Sequence, residues 1–221
     1  NKLFATVSCF NIGRLQENDA ESRDLVKRQR NLHFRTTIMD YQQRLEMTIL
    51  GSFGKHTKQI YGFGGAGVCY FQPKAEYKGE WIELKPLKTE GEGIEGSGVK
   101  NYSLFSPIVS LGFGFRYGIG ETFRVGIEAS YTKTFTDYID DVSTRYPDAK
   151  VLSEEVGANA VAAAFSGYGG SNPQSKKSYQ RGNPQFKDAY CIAQLSLSYC
   201  FLYDCRSERH RFNDVGGCKS F

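Results

Sequence analysis

Residues 122 to 135, TFRVGIEASYTKTF, alternate almost without interruption: Phe123, Val125, Ile127, Ala129, Tyr131 and Phe135 on odd positions, and Thr122, Arg124, Gly126, Glu128, Ser130, Thr132 and Thr134 on even ones. Lys133 is the exception. A period of two sustained this far is a β-strand with one apolar and one polar face. The stretch upstream repeats it, with Phe105, Val109, Leu111, Phe113, Phe115 and Tyr117 against Ser106, Ser110, Gly112, Gly114 and Arg116. Gly118 to Glu121 joins the two as a tight hairpin turn. Residues 191 to 203 form a third such strand, and Met39, Tyr41, Leu45, Met47 and Ile49 mark a fourth. After a short turn, 52 to 57, the glycine-rich stretch 59 to 71 is a fifth, and Leu3 to Ile12 is a sixth, less regular one. The fold class is therefore all-β, antiparallel and up-and-down.

The connections alternate in length. Residues 14 to 31, 72 to 101 and 137 to 188 are long, while 52 to 57 and 118 to 121 are short. Tight turns at one end and large loops at the other are the asymmetry of outer-membrane β-barrels. A soluble ligand-binding barrel also alternates, but it turns its apolar face inward, so Val125, Ile127 and Leu195 would then line a cavity. Two features favour the membrane. Charges lie mid-strand on the polar face, at Arg44, Glu46, Arg116, Arg124 and Glu128, where neighbours of opposite sign in a polar lumen can satisfy them. Aromatic residues also gather near strand ends, at Phe115, Tyr117, Phe123, Phe135, Tyr199, Phe201 and Tyr203, as an interfacial girdle requires. Single-chain bacterial barrels use an even number of strands from about eight upward, so six would leave two unpaired edges in lipid.

Composition narrows the function. The formal charge of +4, from 28 basic and 24 acidic residues, carries no nucleic-acid footprint. No run approaches the roughly 18 to 20 apolar residues of a membrane-spanning helix. Cys9, Cys69, Cys191, Cys200, Cys205 and Cys218 contain no CxxC pair, so a zinc-cysteine site is not expected. The chain starts at Asn1 without an initiator Met or a signal-peptide pattern, and a processed or longer parent is expected.

Four blocks carry a family resemblance: RNLHFR at 30 to 35, FQPKAEYKGEWIELKPLKTEGEG at 71 to 93, TFTDYIDDVSTRYPD at 134 to 148 and RGNPQFKDAY at 181 to 190. Together they resemble the PorG-type outer-membrane barrels of the Bacteroidota type IX secretion and gliding apparatus. The resemblance runs from about Arg30 to Tyr203. It implies an eight-stranded barrel of which this chain, with about six strands, lacks the first hairpin. It also implies contact with a periplasmic ring built of a PorK-like lipoprotein and a PorN-like partner, with no cofactor. The division expected is a barrel over residues 1 to 203 and a Cys-containing periplasmic tail over 204 to 221.

The candidate sites follow from this layout. In TFTDYIDDVSTRYPD, Asp137, Asp140 and Asp141 offer clustered carboxylates that a calcium ion could take, although the EF-hand order is absent. The plainer reading is that Asp137 caps a turn and that Asp140 or Asp141 pairs with Arg145. His33, His56 and His210 are dispersed and no nucleophile sits at elbow spacing, so no catalytic residues are assigned. The loop 85 to 100 is glycine-rich but acidic, a poor phosphate cradle. Cys191 and Cys200 have opposite parity on one strand and cannot pair with each other; Cys205 and Cys218 either pair, bridge to a periplasmic partner or stay free. Tyr203, Arg206, Arg209, His210 and Arg211 offer a partner-binding surface for acidic groups. The expected role is thus a non-enzymatic outer-membrane anchor for a periplasmic ring, with the short turns and C-terminus periplasmic and the long loops extracellular. The alternative is an outer-membrane enzyme or small-ligand-binding barrel that uses those loops.

Overall fold

The structure, a computed structural model, describes residues 3–23, 28, 32–52, 58–77, 79–119, 123–165 and 179–199. Seven strands form one antiparallel sheet: β1 (Phe4–Asn18), β2 (His33–Ser52), β3 (Lys58–Tyr77), β4 (Glu80–Glu83), β5 (Phe105–Ile119), β6 (Phe123–Thr134) and β7 (Ala189–Tyr199). The long strands follow chain order, β1-β2-β3-β5-β6-β7, and β4 is a short flap paired to the far end of β3. Among the described residues two short helices, α1 (Ala149–Glu155) and α2 (Ala158–Ala164), lie between β6 and β7.

The sheet curls strongly into a half-barrel. In a flat sheet, four steps of about 4.8 Å would place β2 and β7 about 19 Å apart. Instead the Tyr190 hydroxyl on β7 donates to Asp40 on β2 at 2.8 Å, and Arg44 on β2 reaches Glu128 on β6 at 2.6 Å. Glycine on β5 permits this closeness. A Cβ at Gly112 would sit 2.2 Å from the Phe63 ring, and one at Gly114 2.4 Å from the Tyr61 ring, so these aromatics lie flat against bare backbone. Among the described residues β1 pairs only with β2 and β7 only with β6; a cleft of about 490 Å³, lined by Phe10 to Leu15 and Tyr190 to Gln194, lies along these edges.

The two faces of the wall have reversed polarity relative to a water-soluble sheet. On the convex face Leu195 is 87% exposed, Leu197 74%, Leu111 70% and Phe113 68%. On the concave face Arg44, Glu46, Gln42, Ser110 and Thr132 are buried. Val125, Ile127 and Leu195 are all exposed on the convex side. From Met39 to Ile49 the apolar outer positions cover about 11 residues, which at about 3.4 Å each and a tilt of about 45° is a band about 25 Å tall.

The strands outrun their alternation. β1 continues through Arg14 to Asn18 and β2 starts at His33, so the first connection is 19–32 rather than 14–31. The ladder persists here, from Gly13↔Ile38 to Asn18↔His33, although neither face of 14–18 is apolar. Likewise β3 runs to Tyr77 and turns into β4, which shortens the loop expected at 72–101. Alternation reports burial in a two-sided environment, and it stops where the wall rises above the apolar band although backbone pairing does not.

The apolar core is not at mid-wall. Its three clusters all involve the long connections: Ile38, Cys69, Phe71, Ile108 and Tyr190 of the wall close on Ile139; Leu32, Phe34 and Ala75 close on Leu84, Val142 and Ala163; and Ile94, Tyr146, Leu152, Ala160 and Phe165 form the outermost group. The described parts of this connection, 137–165 and 179–188, therefore form a folded cap over one end of the half-barrel. Asp148 starts α1 by accepting from the Lys150 N–H at 3.0 Å, and Gly157, at φ 115°, separates the helices in a conformation that favours glycine.

Candidate functional site

Two polar centres occupy the interior. The first is in the wall, where strand parity brings charges to one face. Arg44 pairs with Glu128 at 2.6 Å, and Glu128 also accepts from Tyr61 at 3.0 Å and Gln194 at 3.2 Å. Arg116 meets Glu46 at 3.3 Å and lies over the Tyr61 ring at 4.3 Å, as Arg44 lies over Phe63 at 4.5 Å. Arg124 shares this parity and is half-buried. Asp40 accepts from Asn11, Gln42 and Tyr190, and Gln42 in turn accepts from Ser110 at 2.5 Å. The concave face at mid-height is thus crossed by side chains bonded to one another.

The second centre lies inside the cap and joins segments far apart in sequence. The Glu90 carboxylate accepts from the Ser143 N–H at 2.9 Å, the Thr144 N–H at 2.8 Å and the Thr144 hydroxyl at 2.6 Å. The Arg181 guanidinium donates through Nη1 to Glu90 at 3.3 Å, to the Thr89 hydroxyl at 3.0 Å and to the Asp141 carbonyl at 2.6 Å. Asp141 sits at φ 62° and accepts from Thr89 and from the Tyr102 hydroxyl. Glu92 accepts from the Glu90 N–H at 3.2 Å, while its Oε1 and the Arg181 Nε are buried without a partner. Tyr102 couples this centre to the wall, stacked on Tyr138 at 4.2 Å and on Phe71 at 6.3 Å, with Lys85 Nζ over its ring at 3.8 Å.

Of the three buried carboxylates here, Glu90 pairs with the Arg181 guanidinium, whose charge also acts on Glu92 and Asp141. Burial pushes the Asp141 carboxyl up to about 7 against the opposing pull of Arg181, and burial likewise raises Glu92. At the base of the cap, burial lifts Asp137 and Asp188 to about 6, with Asp188 accepting from the Ile139 N–H at 2.9 Å. Next to the centre, residues of the 90–99 loop, 144–152 and 180–185 line an open cleft of about 840 Å³.

The acidic knot is dispersed rather than gathered. Asp140 accepts from the Val142 N–H at 3.1 Å, Asp141 turns into the cap centre, and Asp137 lies at the base. Among the described residues no group of three or more His, Cys, Asp or Glu side chains is arranged to hold a metal ion. The arginine that closes on Asp141 is Arg181, from the RGNP block, and it meets the backbone carbonyl. His33 lies on the outer rim with Glu76, Gln16 and Trp81. Cys9, Cys69 and Cys191 are free thiols. Cys205 and Cys218, the surface Tyr203, Arg206, Arg209, His210 and Arg211, and most of both short turns lie outside the described residues.

Sequence reading missed Thr89, Glu90, Glu92, Tyr102 and Arg181 as a unit. The available signal was their place in the quoted blocks: TEGEG supplies Thr89, Glu90 and Glu92, TFTDYIDD supplies Asp141, and RGNP supplies Arg181. RNLHFR contributes Leu32 and Phe34 to the apolar cluster beside it. Compared with known proteins, the chain matches no family model, no curated protein and no solved structure.

Proposed function

We propose that this chain is the wall and cap of an outer-membrane β-barrel that serves the type IX secretion machinery as a non-enzymatic anchor for a periplasmic ring of PorK-like and PorN-like proteins. The observation that carries the membrane reading is the reversed polarity of the wall, with Leu111, Phe113, Leu195 and Leu197 outward and Arg44, Glu46 and Glu128 inward. In water each such outward side chain forgoes about 1.5–3 kcal/mol of burial; in lipid it does not. The type IX assignment rests on the resemblance of the four blocks, and their convergence in one cap supports treating them as a single unit.

In this reading the cap faces the cell exterior, while the short β2–β3 and β5–β6 turns and residues 204–221 face the periplasm, where the ring docks. The Arg44–Glu128 and Arg116–Glu46 pairs fill the wall's concave side, so the barrel acts by position and not as a conduit. The test is deletion of residues 204–221 from the tagged full chain in its native host. The ring lipoprotein is expected to be lost from the purified complex while the barrel keeps its heat-modifiable migration. A ring that still co-purifies contradicts the anchoring role.

A further inference from the structure

Above the apolar band, on the cap side, the convex face of β1 to β4 changes character over one row of residues. Ile12, Met39, Tyr70 and Phe105 form the last apolar row, joined in register across β1, β2, β3 and β5. Next comes Arg14↔Thr37↔Gln72, and then Gln16↔Arg35↔Lys74↔Glu83. Arg35 and Lys74 are direct cross-strand partners, a like-charge juxtaposition that destabilises a sheet on its own. Arg14 stands one diagonal away from Arg35, about 7–8 Å between Cα atoms.

Among the described residues the nearby acids Glu83 and Glu76 engage Lys74 and His33 rather than Arg14 or Arg35. Glu76 is engaged by His33 at 2.7 Å. Glu83 accepts from Gln72 at 2.7 Å and pairs with Lys74 at 3.3 Å. Arg35 stacks on the Trp81 indole at 4.1 Å, and Arg14 is exposed. Cations held beside an indole directly above an apolar face match a lipid whose anionic head lies at that height and whose chains run down the band.

We propose that Arg14, Arg35 and Lys74, walled by Trp81, bind the phosphate-bearing headgroup of a glycolipid in the leaflet on the cap side, with its acyl chains over Ile12, Met39, Tyr70 and Phe105. Arg35 is pre-oriented by its stack and Arg14 closes the phosphate from below, the charge-assisted geometry that phosphate favours. Lys74 keeps Glu83 on one side and turns its remaining donors to the head. This site rests on the membrane reading above.

The experiment uses the full chain in nanodiscs of neutral phospholipid doped with bis-phosphorylated lipid A or with its dephosphorylated form, and native mass spectrometry counts the lipid retained after detergent release. Phosphorylated lipid A is expected to be retained, dephosphorylated lipid A is not, and millimolar inorganic phosphate does not displace it. Arg14→Gln with Arg35→Gln is expected to lower retention by about tenfold or more. Arg14→Gln alone, at an exposed position that the fold does not need, gives part of that loss, and Lys58→Gln on the opposite rim gives none. Equal retention of both lipids, or unchanged retention in the double variant, overturns the site while leaving the barrel reading intact. A chain that never enters the discs overturns both.

Discussion

The wall and the cap both bury charge, but they balance it differently. In the wall two guanidiniums meet two carboxylates, Arg44 with Glu128 and Arg116 with Glu46. In the cap the Arg181 guanidinium, with the Lys85 ammonium near Glu92 and Asp141, faces three carboxylates, Glu90, Glu92 and Asp141. A strand ladder fixes which side chains share a face, so opposite charges can be matched pair by pair. A cap assembled from loops has no such register: Glu90 is satisfied mainly by backbone N–H groups of 143 and 144, and the surplus negative charge is relieved by proton uptake. The cap should therefore respond to pH.

The largest effect that separates the two regions is expected from Arg181→Met. It leaves Glu90 and Asp141 buried without their cation, a loss of about 3–5 kcal/mol. Limited proteolysis should then cut within 137–188 while the heat-modifiable barrel persists. If cap and wall fail together, they are one cooperative unit and the comparison collapses.

In the wall, Arg44→Met should cost less, about 1.5–3 kcal/mol, because Glu128 keeps its bonds from Tyr61 and Gln194. Adding Glu128→Gln should recover most of that in urea unfolding, since the pair is then replaced by neutral groups of similar volume. A double variant as unstable as the single would show that the pair holds the wall's curvature rather than merely cancelling charge.

A smaller effect comes from pH. Asp141 stands at about 7 in the folded cap, well above a free carboxyl near 4, so the folded state holds a proton that the open loop releases. The stability this contributes is complete below about pH 4 and is lost as pH rises through about 7. Asp137 and Asp188, each at about 6, push in the same direction. Hydrogen-exchange protection of residues 139–144 should fall from pH 5 to pH 8 after correction for intrinsic rates, and Asp141→Asn should flatten that slope. Protection that increases with pH would refute the assignment.

The sequence made the wall legible because parity is a local property. From Thr122 to Phe135 alone one can say which side chains share a face, and Arg44, Glu46, Arg116 and Glu128 lie on the concave side that parity assigns them. It made the rim and the cap far less legible. Arg14 to Asn18 and His33 to Ile38 pair as strand without a clean apolar alternation. Glu80–Glu83 is too short to announce itself, and it exists because β3 folds back on it. In the cap, Arg181 meets residues 40 and 91 positions away, contacts that no local pattern encodes. The helices do leave a local trace: Asp148 is a cap residue, and ANAVAAA favours a helix once it has apolar clusters to pack on.

The central claim is that the convex face of the wall meets lipid. The chain has a single tryptophan, Trp81, which makes the test direct. With Trp81→Phe as background, Leu111→Trp and Ile127→Trp each place the only indole on the outer face of β5 or β6, and quenching is compared between brominated lipid in reconstituted vesicles and aqueous iodide. Strong quenching by brominated lipid with little by iodide at both positions is the predicted result. Iodide quenching at both, with none from the lipid, would place this face in water and contradict the membrane-barrel account.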